Sequence, residues 1–306
     1  MAKEMRHVYQ ETLRELMLGD KNVVMLDADL ASASGSGKTY LEFPNQSVNC
    51  GISEANMISA ACGMSLAGLK PYVHTFAPFA TRRVFDQLYM SGAFSKNAIH
   101  VFASEPGIWA QFNGGTHTSF EDLALTRTLP NTIVSAPSDE FVFKFILKSF
   151  YDDDKLYYTR SPRAALPPIY NESTTFEIGK WKVHGETLEN VIIACGDMVH
   201  TALEMAKLLK EVNETVCVID AFNLSPYDGE LLKELSRKSK KIMVIENHSI
   251  YGGLGELVAR ELLLNDSQAH FIHKGINHHV SEVGTLDFLA KKFGIDLQSL
   301  LDTWKK

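Results

Sequence analysis

The feature that most limits the fold of this chain is a regular alternation. Short strand-like runs at Val23–Leu26, Lys70–Thr75, Ala98–Ala103, Thr132–Ser135 and Leu156–Thr159 are separated by segments of helical length. Parallel strands need a crossover between them, usually a helix, and sheets covered on both faces read as apolar runs. The rhythm therefore predicts βαβ units around a mostly parallel sheet. It pauses near residue 170, in a stretch holding Pro167, Pro168, Asn171 and Ser173. It then resumes with runs at Val191–Cys195, Val216–Ile219, Ile242–Ile245 and His270–His273. The reading is α/β, with two domains, each a mostly parallel sheet flanked by helices: residues 1–168, a linker at 169–178, and residues 179–306. Such sheets bind ligands beyond the carboxyl ends of their strands. Asp29, Phe76, Phe79, Glu105, His117 and Arg160 all fall just past or at such ends.

Charge and spacing exclude several functions. A net charge of −7 with no basic stripe argues against a general nucleic-acid or membrane-surface binder. No apolar run approaches the ~18 residues of a membrane helix. The first residues lack the apolar core of a secretory signal. Cys50, Cys62, Cys195 and Cys217 have no metal-type spacing and read as small core residues of a reduced, cytoplasmic protein. No dinucleotide glycine fingerprint follows a strand, and Ser36-Gly-Lys-Thr39 lacks the upstream glycine of a phosphate loop. Gly252-Gly-Leu-Gly255 reads either as an anion nest or as close helix packing. His273, His278 and His279 read as loop histidines rather than metal ligands, and no metal site is assigned. Ala31–Tyr40, rich in Ser and Gly, reads as a loop, and Ser138 as the cap of the helix after it.

The strongest chemical signal is Asn49-Cys-Gly-Ile-Ser-Glu-Ala-Asn-Met57. Glu54 opens a helix, Glu54–Leu66, whose neighbours are small or apolar and carry no charge. The helix is expected to be buried and Glu54 with it, and a buried carboxylate needs a partner or a proton. His117 follows Asn113-Gly-Gly-Thr, whose glycines admit a close backbone; it reads as a polar loop residue or as a ligand contact. Phe76 and Phe79, spaced i and i+3 around a proline, read as core or as a platform for a flat heteroaromatic ring.

Four segments taken together resemble the C-terminal half of a transketolase in the form where the enzyme is split into two chains. They are Gly51-Ile-Ser-Glu54-Ala-Asn-Met57, His74-Thr-Phe76-Ala-Pro-Phe79-Ala-Thr-Arg82-Arg83-Val-Phe85-Asp86-Gln87, Gly115-Thr-His117-Thr-Ser-Phe-Glu121-Asp122 and Ile245-Glu-Asn-His248-Ser-Ile-Tyr-Gly-Gly-Leu-Gly255. They occur in the family's order and span nearly the whole chain. The resemblance implies a pyrimidine-binding domain followed by a transketolase C-terminal domain.

It also implies roles. Glu54 would hydrogen-bond N1′ of the aminopyrimidine ring of thiamine diphosphate and set its tautomer, its pKa raised by burial. Phe76, Phe79, Ile52 and Asp29 would line the same cofactor. His117 would meet the sugar and help proton movement. Arg6 and Arg160 would grip the anionic end of a ketose phosphate or similar sugar, with Ser34 adding a hydroxyl. Glu105 stands where these enzymes carry a histidine, and Asn113 lies in the loop that faces the sugar hydroxyls. The glycine-aspartate-glycine segment that binds diphosphate and Mg²⁺ in the family is absent. A separate N-terminal-half subunit would supply it, in an α2β2 assembly. The competing readings are a β-type subunit of a 2-oxoacid dehydrogenase, a deoxyxylulose-phosphate-synthase-like enzyme, and a non-catalytic scaffold.

Overall fold

The computed structural model describes residues 2–277 and 282–306, so His278 and His279 lie outside the described residues. In chain order the strands are β1 (Val23–Asp27), β2 (Ser47–Asn49), β3 (Lys70–Phe76), β4 (His100–Ser104), β5 (Thr132–Ser135), β6 (Leu156–Ser161), β7 (Lys182–His184), β8 (Asn190–Ala194), β9 (Cys217–Asp220), β10 (Asn223–Ser225), β11 (Lys241–Ser249) and β12 (His270–Ile276). They form two sheets, ordered β10-β5-β6-β4-β3-β1-β2 and β12-β11-β8-β9-β7. Neighbours run parallel except β10 against β5 and β7 against β9. Strands β1, β4, β5 and β6 are buried along their full length, as sheets covered by helices on both faces require. Helix Met5–Gly19 lays Val8, Leu13 and Met17 against the inner face of helix Glu140–Tyr151, where Phe143, Ile146 and Leu147 are buried.

The two halves of the sequence are not independent sheets. Strand β10, which follows β9 of the second sheet, crosses over to pair with β5 and closes the edge of the first. It is short, and its sequence carries no long apolar run to announce it.

The register sets up the carboxyl edge of the first sheet. Phe76 lies opposite Ser104, and Ser104 opposite Ser161, so β3, β4 and β6 end level. Glu105 and Arg163 leave the sheet just past that line. Helix Glu54–Leu66 starts and stops where its apolar run predicts. Its burial is one-sided, however. Glu54, Met57, Ile58, Ala61 and Cys62 are buried, while Leu66 is 76% exposed and Ile52, just before the helix, is 77% exposed. A charge-free face is left open in the single chain.

Two local readings are corrected. Residues Ala31–Ser34 and Gly37–Glu42 are short helices, not a loop. The buried Asp27 carboxylate organises them: it accepts the Leu30 N–H at 2.9 Å and the Ser36 hydroxyl at 3.1 Å. Gly35, at φ 74°, makes the break between the two turns. The helix at Glu140 is capped by Asp139, which accepts from Phe141 and Val142, and not by Ser138. The Ser138 hydroxyl donates instead to Asp220 of β9.

Candidate active site

Glu54 is the first residue of its helix and only 3% exposed. The unpaired N–H groups and dipole of a helix start favour a carboxylate there. Its specific partner is Arg83, whose Nη1 donates to Oε1 at 2.6 Å. The same guanidinium lies over the Phe79 ring, 3.7 Å from its centre, a cation–π contact. Phe79 meets His117 with ring centres 5.0 Å apart, and Phe76 meets it at 5.9 Å. The two phenyl rings are 6.1 Å apart and nearly edge-on. Both are half-buried, so each keeps a face that core packing does not use. Phe79, His117 and Phe76 thus form a triad of mutually adjacent rings, and Arg83 joins Phe79 to Glu54. Ile52 is exposed beside it. Arg83 was not singled out by the sequence reading, although it stands in the same quoted segment.

The loop carrying His117 is tied down from the opposite side. Arg82 reaches across to accept none and donate to all: Nη2 bonds the carbonyls of Thr118 at 3.0 Å and Gly115 at 3.3 Å, and Nε pairs with Glu121 at 3.1 Å. Glu121 in turn takes the Phe120 N–H and the Ser119 hydroxyl. The Thr116 hydroxyl shares a hydrogen bond with His117 Nδ1 at 2.8 Å. Nε2 has no hydrogen bond among the described residues and is the nitrogen free for a ligand. Asn113 is exposed on this loop. Adjacent arginines therefore do different work, Arg83 at the acid and Arg82 at the histidine loop.

Beyond Phe76 lies a second corner. Arg163 sits over the Phe76 ring, 5.2 Å from its centre. Its Nε donates to Glu105 Oε1 at 2.7 Å, and its backbone N–H to the same oxygen at 2.9 Å. Glu105 is 7% exposed and has the left-handed φ of 56°, a costly backbone for a residue other than glycine. Arg6 is held next to Arg163 by a backbone bond, Arg6 N–H to Arg163 carbonyl at 3.2 Å. Asp29, exposed at φ 60°, leaves β1 at the same edge, its carboxylate accepting from the Asn49 amide at 3.2 Å.

Two expected residues are not brought to this edge. Arg160 is 4% exposed and lies inside the seam between the domains. Its Nη1 is 3.2 Å from Asp122, and Nη2 donates to the Asn247 carbonyl at 2.9 Å. Ser34 is buried, and its hydroxyl donates to Ser36 at 2.7 Å. The sequence did contain a signal for Arg163 over Arg160. Arg160 lies within β6, while Pro162 ends the strand and puts residue 163 past the edge. His74, quoted in the aromatic segment, is a core histidine: burial, with Arg163 adding, holds its pKa down at about 3.

The late glycine segment has a structural job. Gly253 and Gly255 open helix Leu254–Leu264, and the N–H groups of Leu254 and Gly255 donate to the buried Glu246 carboxylate at 2.8 Å each. The nest is filled by the chain's own acid. His273 Nε2 bonds the same carboxylate at 2.7 Å. The neighbouring Asn247 accepts the Ile108 N–H at 3.0 Å, bonding the second domain to the first. Among the described residues no group of three or more His, Cys, Asp or Glu side chains is placed to hold a metal ion.

The residues fit one end of thiamine diphosphate. A buried acid, half-buried phenyl rings and a free imidazole nitrogen suit a flat, basic aminopyrimidine. Among the described residues no metal-holding group accompanies them for a diphosphate and its cation. The transketolase pyrimidine-binding domain model matches residues 1–168, and the transketolase C-terminal domain model residues 179–299. A chain of Methanocaldococcus jannaschii, whose name as a transketolase C-terminal section is itself provisional, is 34% identical over 301 residues, covering 97% of this chain and 94% of that one. A 6-deoxy-6-sulfo-D-fructose transketolase subunit of a Clostridium species is 32% identical over 297 residues, covering 97% and 92%. A solved structure described as a split-gene transketolase, inactive β4 tetramer, superposes with TM-score 0.88 at 32% identity, covering 99% and 97%. With both domains matched in order and whole-length split relatives alongside, this chain belongs to the transketolase family, as the subunit that carries the pyrimidine-binding and C-terminal domains.

Proposed function

We propose that this chain is one subunit of a thiamine-diphosphate-dependent transketolase that moves a two-carbon ketol unit from a ketose to an aldose, and that it turns over only with a partner subunit holding the diphosphate and Mg²⁺. The observation that carries the reading is the buried Glu54 joined through Arg83 to the ring triad of Phe79, His117 and Phe76 at the carboxyl edge of the sheet. When bound, thiamine diphosphate supplies the carbon nucleophile that adds to the ketose carbonyl. Glu54 holds a proton at N1′ of the pyrimidine, in a place too dry for water to do so. This requires Arg83 to yield its bond to Glu54; at 41% side-chain exposure it has solvent to move into. Phe76 and Phe79 pack on the ring and keep water from it. His117 Nε2 bonds the oxygens of the donor and passes protons at the carbon–carbon bond that breaks, with Arg82 fixing the loop that aims it.

The single chain offers one half of the cofactor's contacts, which is why a partner is needed. The test is a two-carbon transfer assay on the chain alone and on the chain reconstituted with a subunit bearing the diphosphate motif. Turnover is expected only from the mixture. Comparable turnover by the isolated chain refutes the shared site, and none from the mixture refutes the ketol-transfer reading.

A further inference from the structure

We infer that the corner beside Phe76 selects a donor whose far end is an uncharged, hydroxyl-bearing carbon and rejects a phosphate ester there. The inference rests on the ketol-transfer reading and names its substrate class. Two arginines come together here through the bond from the Arg6 N–H to the Arg163 carbonyl, and each is already matched by a carboxylate of the same chain. Arg163 Nε pairs with Glu105 at 2.7 Å, and Arg6 Nε with Glu4 at 2.5 Å. The pairs are neighbours, because the Glu4–Ala165 bridge and the Arg6 N–H to Arg163 carbonyl bond zip the start of the chain to the segment after β6. Within these two pairs the charges cancel.

Glu105 is a built part of this corner rather than a passing surface partner. It is 7% exposed, held in a left-handed backbone conformation, and bonded through Oε1 to both the side chain and the backbone N–H of Arg163. Its other oxygen, Oε2, accepts no hydrogen bond from the described residues. A carboxylate only accepts, so a group placed against it must donate. Sugar hydroxyls donate. A phosphate dianion does not, and it meets like charge at short range, with Arg163 already engaged. The Phe76 ring touches both groups, with Arg163 5.2 Å and His117 5.9 Å from its centre. With His117 assigned to the reacting carbonyl, this corner is left to the other end of the sugar.

The test uses the reconstituted two-subunit enzyme with free D-xylulose and D-xylulose 5-phosphate as alternative donors. The wild type is expected to show a kcat/KM at least tenfold higher for the free ketose. Glu105→Gln and Glu105→His should each cut that ratio by tenfold or more, chiefly by lowering KM for the phosphate ester, since both remove the negative charge that matches Arg163. The pair guards against a misfolded single variant. A wild type that prefers the ester, or variants that leave the ratio unchanged, overturns the inference while leaving ketol transfer intact. Absence of transfer from both donors instead removes the ketol-transfer reading and this inference with it.

Discussion

Two buried glutamates sit against the starts of helices in this chain, and they are solved in opposite ways. Glu246 is sealed and saturated. Its oxygens take two backbone N–H groups and His273, and His248 Nδ1 stands 3.7 Å away. Burial alone disfavours its charge. The His273 bond, with His248 and the Gly255 N–H, outweighs that and holds its carboxyl below the usual range. Among the described residues Glu54 has one side-chain partner, an arginine with a path to solvent. A carboxylate whose every bond comes from fixed backbone and packed rings is part of the scaffold. One whose single bond comes from a movable side chain can exchange it for a ligand. The difference lies in what satisfies the acid, since both are almost equally buried.

Glutamine at each position should therefore fail differently. Glu54→Gln in the reconstituted enzyme is expected to lower kcat by about 100-fold or more, the usual scale for a positioned acid. Its thermal midpoint should stay within a few degrees of wild type, read by circular dichroism. Unchanged turnover would remove Glu54 from the chemistry and revive the scaffold reading. Glu246→Gln should do the reverse. Whichever way its amide turns, the NH2 meets a backbone N–H, of Gly255 or of Leu254, and a broken buried network costs about 3 kcal/mol. Denaturant unfolding should show that loss, while turnover per folded molecule is kept.

The glycines near the two acids sharpen the contrast at smaller scale. A Cβ on Gly253 would lie 2.1 Å from Glu246 Oε2 and 2.7 Å from His248 Nδ1, with neither free to withdraw. Gly253→Ala should cost about 2 kcal/mol by overpacking. Gly51, two residues before Ser53 at the N-cap position, has nothing within 4 Å of such a Cβ, though its φ is 68°. Gly51→Ala should cost only the left-handed backbone, about 1 kcal/mol. Equal losses in urea melts would mean that the surroundings of Glu54 are packed as tightly as those of Glu246.

Much of this was legible in the sequence, and the gaps have physical causes. The strand rhythm gave two α/β units because parallel sheets leave long-range apolar signatures. It did not give β2, β7 or β10, each three residues long and too short to carry a period. The helix at Glu54 was read to the residue, yet its exposed face was not, since a lack of charge looks the same on a core helix and on an interface. Phe76, Phe79, Glu54 and His117 come together as the resemblance implied. Arg83, Arg82 and Arg163 were passed over because what they do depends on which neighbour they reach, and spacing along the chain is silent on that. The Ser-rich segment after β1 folded into helices because a buried aspartate, Asp27, drew its N–H and O–H groups inward.

A third acid, Asp220, falls between the two extremes, and its effect is read as a change with pH. It is buried at the end of β9, where Oδ2 accepts the hydroxyls of Ser138 at 2.5 Å and Tyr170 at 2.8 Å, while Oδ1 has no partner. It clasps the first domain, the linker and the second sheet together. Burial pushes its carboxyl up to about 7, with the two hydroxyl bonds opposing and Asp139 nearby adding. The folded chain therefore keeps this proton over a range in which the unfolded chain, near 3.8, has released it. The contribution to stability is full below the unfolded value and is lost as pH climbs through about 7. His74 and His100 act in the opposite sense. Burial holds both at about 3, against 6.5 when exposed, so they cost stability as pH falls below 6.5. Because those terms are common to both proteins, the informative quantity is the difference between wild type and Asp220→Asn from about pH 5 to about pH 8. The melting temperature of Asp220→Asn should gain on that of wild type as pH rises, and a constant offset would show that Asp220 is already ionised in the fold, as Glu246 is.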